Sequence, residues 1–115
     1  MRRPITAAAA VGLLLALTAC ESGAASGKVQ GTDAELACAA VRRLPEPLPG
    51  NAGGKDFDIL VARLVGAEDL ARAAAMADAK YQPLADALDK AHELLNVTSD
   101  PKQAEPAVKK ARTYC

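Results

Sequence analysis

The chain has 115 residues, with 14 Lys and Arg against 14 Asp and Glu, one His and 50% hydrophobic residues. That length carries one small domain and no more, and its balanced charge, without a basic run, excludes a surface built to hold nucleic acid. The aromatics are Phe57, Tyr81 and Tyr114, with no Trp, which is poor material for stacking sugars or bases.

The first residues read as an export leader. Arg2 and Arg3 form a basic n-region, and Ala7 to Leu17 form an apolar h-region of signal-peptide length. A spanning helix needs roughly 20 apolar residues, and Ile5 to Ala19 falls short of that. Pro4 follows the arginine pair and the rest of a twin-arginine motif is missing, so general secretion is expected. Leu17, Thr18, Ala19 and Cys20 come next: a branched aliphatic, a polar residue, a small one, then cysteine. This run resembles the lipobox of bacterial lipoproteins. The resemblance implies a diacylglyceryl thioether on the Cys20 thiol and cleavage between Ala19 and Cys20 by a membrane-embedded peptidase. Acylation of the new amine, for example with palmitate, often follows in that class. It places the chain on the extracytoplasmic face of the cell membrane, held by lipid. The alanine-rich, arginine-containing usage is similar to that of small helical lipoproteins from GC-rich Gram-positive bacteria.

Removing residues 1–19 from the 115 leaves 96, and without Arg2 and Arg3 the 14 basic residues become 12 against 14 acidic ones, a net charge near −2. Of the three cysteines, lipid would consume Cys20, leaving Cys38 and Cys115 as an even pair in an oxidising compartment. A disulfide between them is expected. The chain-entropy model assigns such a long loop about 4–5 kcal/mol, and measured bridges usually give about 2–4 kcal/mol. A redox or metal role is disfavoured, because neither cysteine stands in a Cys-x-x-Cys spacing and His92 is the single further soft ligand.

Residues 20–31 are expected to be the lipidated cysteine and a Gly/Ser-rich tether, with a helical domain over 32–115. Thr32 followed by Glu35 forms a capping-box pattern, and Ala37, Ala40, Val41 and Leu44 recur at helical spacing with Cys38 on the flank. Pro45 ends this helix, and residues 45–55, with three prolines and three glycines, must be a loop. A second helix is predicted to begin at Asp56 or Asp58. Phe57, Leu60, Val61 and Leu64 form its core face, Ile59 and Val65 make it apolar on a further side, and Gly66 marks its end or a bend. It should be the most buried element.

Leu70, Ala74, Ala77, Tyr81, Leu84, Leu88, Ala91 and Leu95 then alternate spacings of four and three, the seam of a helix in a bundle. Pro83 falls inside this seam, which keeps its phase, so one long helix kinked at Pro83 is predicted in preference to two. Glu68 with Arg72 and Asp86 with Lys90 read as i,i+4 pairs on the outer face. Asn96 to Ser99 read as a turn; the glycosylation-like Asn96-Val97-Thr98 is most simply part of it. Asp100 and Pro101 open a last helix whose start Pro106 could shift to Glu105. Ala104, Val108, Ala111 and Cys115 form its inner face, while Lys109, Lys110 and Arg112 complement the helix dipole. The expected fold is all-α: a small bundle of about four helices stapled by Cys38–Cys115.

No catalytic constellation emerges. His92 has no nucleophile in a suitable context. The acidic pairs Asp56/Asp58 and Glu68/Asp69 suit helix starts without calcium-loop spacing. No enzyme activity, cofactor or metal is expected. The favoured role is an interaction or structural lipoprotein that engages a protein of the envelope. The alternative is a small-ligand carrier with a site between helices, which would need a cavity that the small alanines of the seam argue against.

Overall fold

The computed structural model describes residues 31–115, and a capping box opens the first helix. Cys20, with Leu17, Thr18 and Ala19, lies outside the described residues. Thr32 Oγ1 accepts the Glu35 N–H at 3.3 Å, and the Glu35 carboxylate accepts the Thr32 N–H at 2.7 Å. Two otherwise unpaired donors at the helix start are thereby satisfied. Helix α1 spans Asp33–Arg42 and buries Ala34, Ala37 and Val41. The loop that follows contains a cis Glu46–Pro47 peptide and buries Leu44 and Leu48 in the core.

Helix α2 spans Gly54–Ala77. It starts ahead of the expected Asp56 or Asp58, because Gly53 and Gly54 both take positive φ, 96° and 80°, and turn the chain directly into the helix. Gly66 neither ends nor divides it. A helix with neighbours on both sides can retain one glycine, at a cost of about 0.5–1 kcal/mol relative to alanine. The buried line of α2 is Leu60, Leu64, Ala67, Glu68, Ala71 and Ala74. Ile59 is exposed, and Phe57 and Val65 are half-buried. The second apolar side therefore does not make α2 the most buried element: helix α3, at 17 residues against 24, buries as many side chains.

The expected Pro83 kink is corrected by the break at Asp78. Helix α2 stops at Ala77, Asp78 adopts an extended backbone (φ −150°, ψ 114°), and a short 3-10 turn covers Ala79–Tyr81. Helix α3 then runs Gln82–Thr98, with Pro83 in its first turn. In a continuous helix, Pro83 would lack a hydrogen bond and its ring would meet the Ala79 carbonyl. Breaking the chain four to five residues earlier puts proline where no intrahelical N–H partner exists. Asp78 stabilises the break: its carboxylate accepts the Lys80 N–H at 3.0 Å, which holds its carboxyl below the ordinary value. The 4-3 spacing continues through the turn without forming one seam. Ala77 is exposed and Tyr81 half-buried, whereas Leu84, Leu88, Ala91 and Leu95 are buried as expected.

Helix α3 continues through Asn96 and Val97, which therefore form its last turn instead of a separate loop. Thr98 donates its hydroxyl to the Leu94 carbonyl at 2.6 Å, and Ser99 closes the helix in the left-handed region (φ 53°). Helix α4 spans Pro101–Thr113, with Asp100 accepting the Lys102 N–H at 3.0 Å. Pro106 does not shift its start to Glu105. The cap at Asp100 and the Pro101 start hold, and the helix absorbs one missing N–H at Pro106.

Consecutive helices pack on one another, and α1 and α4 complete the bundle. The α2–α3 pair is antiparallel: Glu68 meets His92 while Arg72, a turn later, meets Asp89, a turn earlier. The core they enclose is built from Leu60, Leu64, Leu84, Leu88, Leu95, Val41 and Val108, with alanines between them. Small side chains let the helix axes approach closely, so the core is thin. A disulfide joins Cys38 in α1 to Cys115 across 77 residues, with a Cα–Cα distance of 5.4 Å. No helix among the described residues is long and apolar enough to cross a membrane.

Two stability measurements check this architecture. Gly66 is exposed, and a Cβ built there meets nothing within 4 Å. Gly66→Ala should therefore stabilise the domain by about 0.5–1 kcal/mol in denaturant unfolding. Replacing Cys38 and Cys115 together by alanine should cost about 2–4 kcal/mol, read from the shift of the unfolding midpoint.

Candidate functional site

The described residues hold one buried ionisable cluster, at the α2–α3 contact. The line of alanines on α2 is interrupted by Glu68, which is 3% exposed. A carboxylate in such a place must be paired, since leaving it unsatisfied costs more than any gain from burial. Both oxygens of Glu68 are occupied. Oε1 accepts from Arg72 Nη2 one turn along α2, and Oε2 lies 2.6 Å from His92 Nδ1 on α3. Arg72 also reaches Asp89 Oδ1 at 3.2 Å, which links two residues of each helix.

The i,i+4 spacing of Glu68 and Arg72 is real, but the outer-face assignment is corrected. The α3 helix covers Glu68, and only the Arg72 and Asp89 side chains remain over half exposed. His92 is half-buried at this contact: its side chain is 26% exposed and its Nδ1 is engaged by Glu68. The second expected pair does not form. Asp86 accepts instead from Gln82 Nε2 at 2.8 Å, and Lys90 pairs with Glu93 at 2.8 Å.

Chemically, this cluster is an ionic clamp between helices. Its carboxylate has a donor on each oxygen, and no cysteine or serine side chain is among its hydrogen-bond partners. No group of three or more His, Cys, Asp or Glu among the described residues is arranged to hold a metal ion.

A second polar assembly ties the end of α1 and its loop to α4. Arg112 Nη2 donates to the Leu44 and Pro45 carbonyls at 3.1 and 3.2 Å, and Nη1 lies 3.3 Å from the Glu46 carboxylate. Glu105 accepts the Leu48 N–H at 2.9 Å, and Arg63 donates to the Arg43 carbonyl at 3.3 Å. Leu44 and Pro45 lie just past the end of α1, and one guanidinium nitrogen of a distant helix satisfies both of their carbonyls. Arg112 thus does more than complement its own dipole. Nearby, the Cys115 carbonyl accepts from Arg42 at 3.4 Å.

Between α3 and α4 an open groove of about 450 Å³ is lined mainly by Ala87, Leu94, Ala107 and Tyr114, with Lys90 and Lys110 in its walls. Its size falls within the range of small-ligand pockets, roughly 300–1,000 Å³, but such pockets enclose most of a ligand and this one is open. Of the expected site residues, the structure joins Cys38 to Cys115; the lipidation residues Leu17 to Cys20 are outside the described part. The Glu68–His92 contact escaped sequence reasoning because its partners are 24 residues apart. The one available signal was a charged residue at helical spacing with Leu60, Leu64 and Ala71.

Comparison with protein-family models, curated proteins and solved structures finds no match to this chain.

The clamp reading has a direct check. His92→Ala leaves a buried carboxylate oxygen without its partner and should destabilise the domain by about 1–3 kcal/mol. Glu68→Leu together with His92→Leu removes both members and should recover most of that loss in urea unfolding, since apolar replacements of buried pairs are often neutral.

Proposed function

We propose that this chain is a lipid-anchored protein of the extracytoplasmic membrane face whose helical domain engages a protein of the cell envelope and performs no chemistry. The observation that carries the anchor is the run Leu17-Thr18-Ala19-Cys20 directly after the apolar h-region. Independent support comes from the Cys38–Cys115 bond, since structural disulfides persist in oxidising compartments. The interaction role is supported by how the polar groups are used. Glu68, His92 and Arg112 hold helices and helix ends together, so the ionisable side chains drawn into the domain serve its architecture.

The groove between α3 and α4 supports a second reading, a small-ligand carrier with its site between helices. Its openness favours contact with a macromolecule over enclosure of a small molecule.

Intact-mass analysis of the membrane fraction tests the anchor. It should show loss of residues 1–19 and added lipid, and Cys20→Ala should leave the precursor uncut. An unlipidated or uncleaved product refutes it. Crosslinking in intact cells tests the role: one envelope protein captured reproducibly is the expected result. Capture of a small molecule with no protein above background would favour the carrier.

A further inference from the structure

One end of the bundle carries an exposed methionine and an exposed tyrosine beside the turn in which Lys80 pairs with Asp78 at 3.3 Å and covers Tyr81. Helix α2 ends there, the 3-10 turn of Ala79–Tyr81 crosses it, and α3 begins there. Tyr114 lines the same groove as Pro83, which brings the end of α4 to this place. Cys38 is bonded to Cys115, Leu44 and Pro45 meet Arg112, and Leu48 meets Glu105, so this stretch runs opposite to α4 and the start of α1 points to the same end.

On this end Met76 is 88% exposed, the highest value among the large hydrophobic residues described, and Tyr114 is 45% exposed. Lys80 sets its ammonium 4.9 Å from the centre of the Tyr81 ring. Two of the three aromatic residues of the sequence therefore belong to this end, which also carries a flexible thioether and a long-stemmed cation. Tyrosine rings prefer the boundary between hydrocarbon and water, and lysine can bury its stem while its charge stays in the headgroup layer.

The direction of the chain identifies what covers this surface. Helix α1 begins at the Thr32 cap, at this end, and Cys20 stands twelve residues ahead of Thr32 in the sequence. Twelve residues span at most about 40 Å even when fully extended.

We propose that this end of the domain, through Met76, Lys80, Tyr81 and Tyr114, rests on the headgroup layer of the phospholipid bilayer that holds the Cys20 anchor. The inference rests on the anchoring reading above. It orients the bundle, with the Asn96–Asp100 end of α3 facing away. Val97 is a fair reference point: it is 78% exposed and sits at the other end of the 17-residue α3, about 25 Å from the turn.

The sequence contains no Trp, so a single introduced one reports its own surroundings. Full-length Met76→Trp and Val97→Trp proteins, purified from membranes in the mature form, are reconstituted into phosphatidylcholine/phosphatidylglycerol vesicles with brominated acyl chains. Trp at 76 should be quenched at least twofold and its emission should move to shorter wavelength, while Trp at 97 should be little affected. Equal quenching at both positions, or none at either, overturns the membrane contact when the same sample carries lipid on Cys20 by intact mass. A mature chain without that lipid overturns the anchoring reading, and this inference with it.

Discussion

Closure of the bundle between its first and last helices is the constraint on which the other features depend. Each helix packs on the next in sequence, so α2, α3 and α4 follow from local connections. Helix α1 has only 10 residues, too few to hold its shape without tertiary support. It is fastened to α4 by the Cys38–Cys115 bond and by Arg112 on the carbonyls of Leu44 and Pro45. These links matter because the core is thin: alanine fills many of its positions, and each buries little apolar area. A domain with so little to bury gains a large share of its stability from a single covalent closure.

The same shortage of large side chains explains the ionic clamp. At the α2–α3 contact, alanines bring the helices close but do not specify register. Glu68 meeting His92, with Arg72 meeting Asp89, fixes which turn faces which. Replacing a buried pair by apolar residues often leaves stability unchanged, and such pairs have been found to set register in some systems. Here the clamp acts together with the short connection from Ala77 to Gln82 and the buried leucines to hold one alignment of the two helices.

Features encoded by adjacent residues were legible in the sequence. The Thr32–Glu35 capping box, the Asp100–Pro101 start and the Leu84–Leu88–Ala91–Leu95 line all depend on spacings within one helix. The cysteine pair was legible from parity once Cys20 is set aside by its resemblance to a lipobox cysteine. The break at Asp78 was not, because no glycine marks it and Pro83 is the louder signal, one that points to a kink. The burial of Glu68 was hidden for a different reason: a Glu–Arg pair at i,i+4 reads the same on a solvated face and under another helix. Arg112 was hidden likewise, since its acceptors lie 67 and 68 residues away.

Native-state hydrogen exchange of the oxidised and reduced domain tests the closure most directly. If the disulfide and its neighbouring contacts fasten α1 to the rest, reduction should accelerate exchange most in Asp33–Arg42 and at Leu48, with α2 and α3 keeping the slowest amides. Equal acceleration across all four helices, or unchanged protection in α1, would contradict the account.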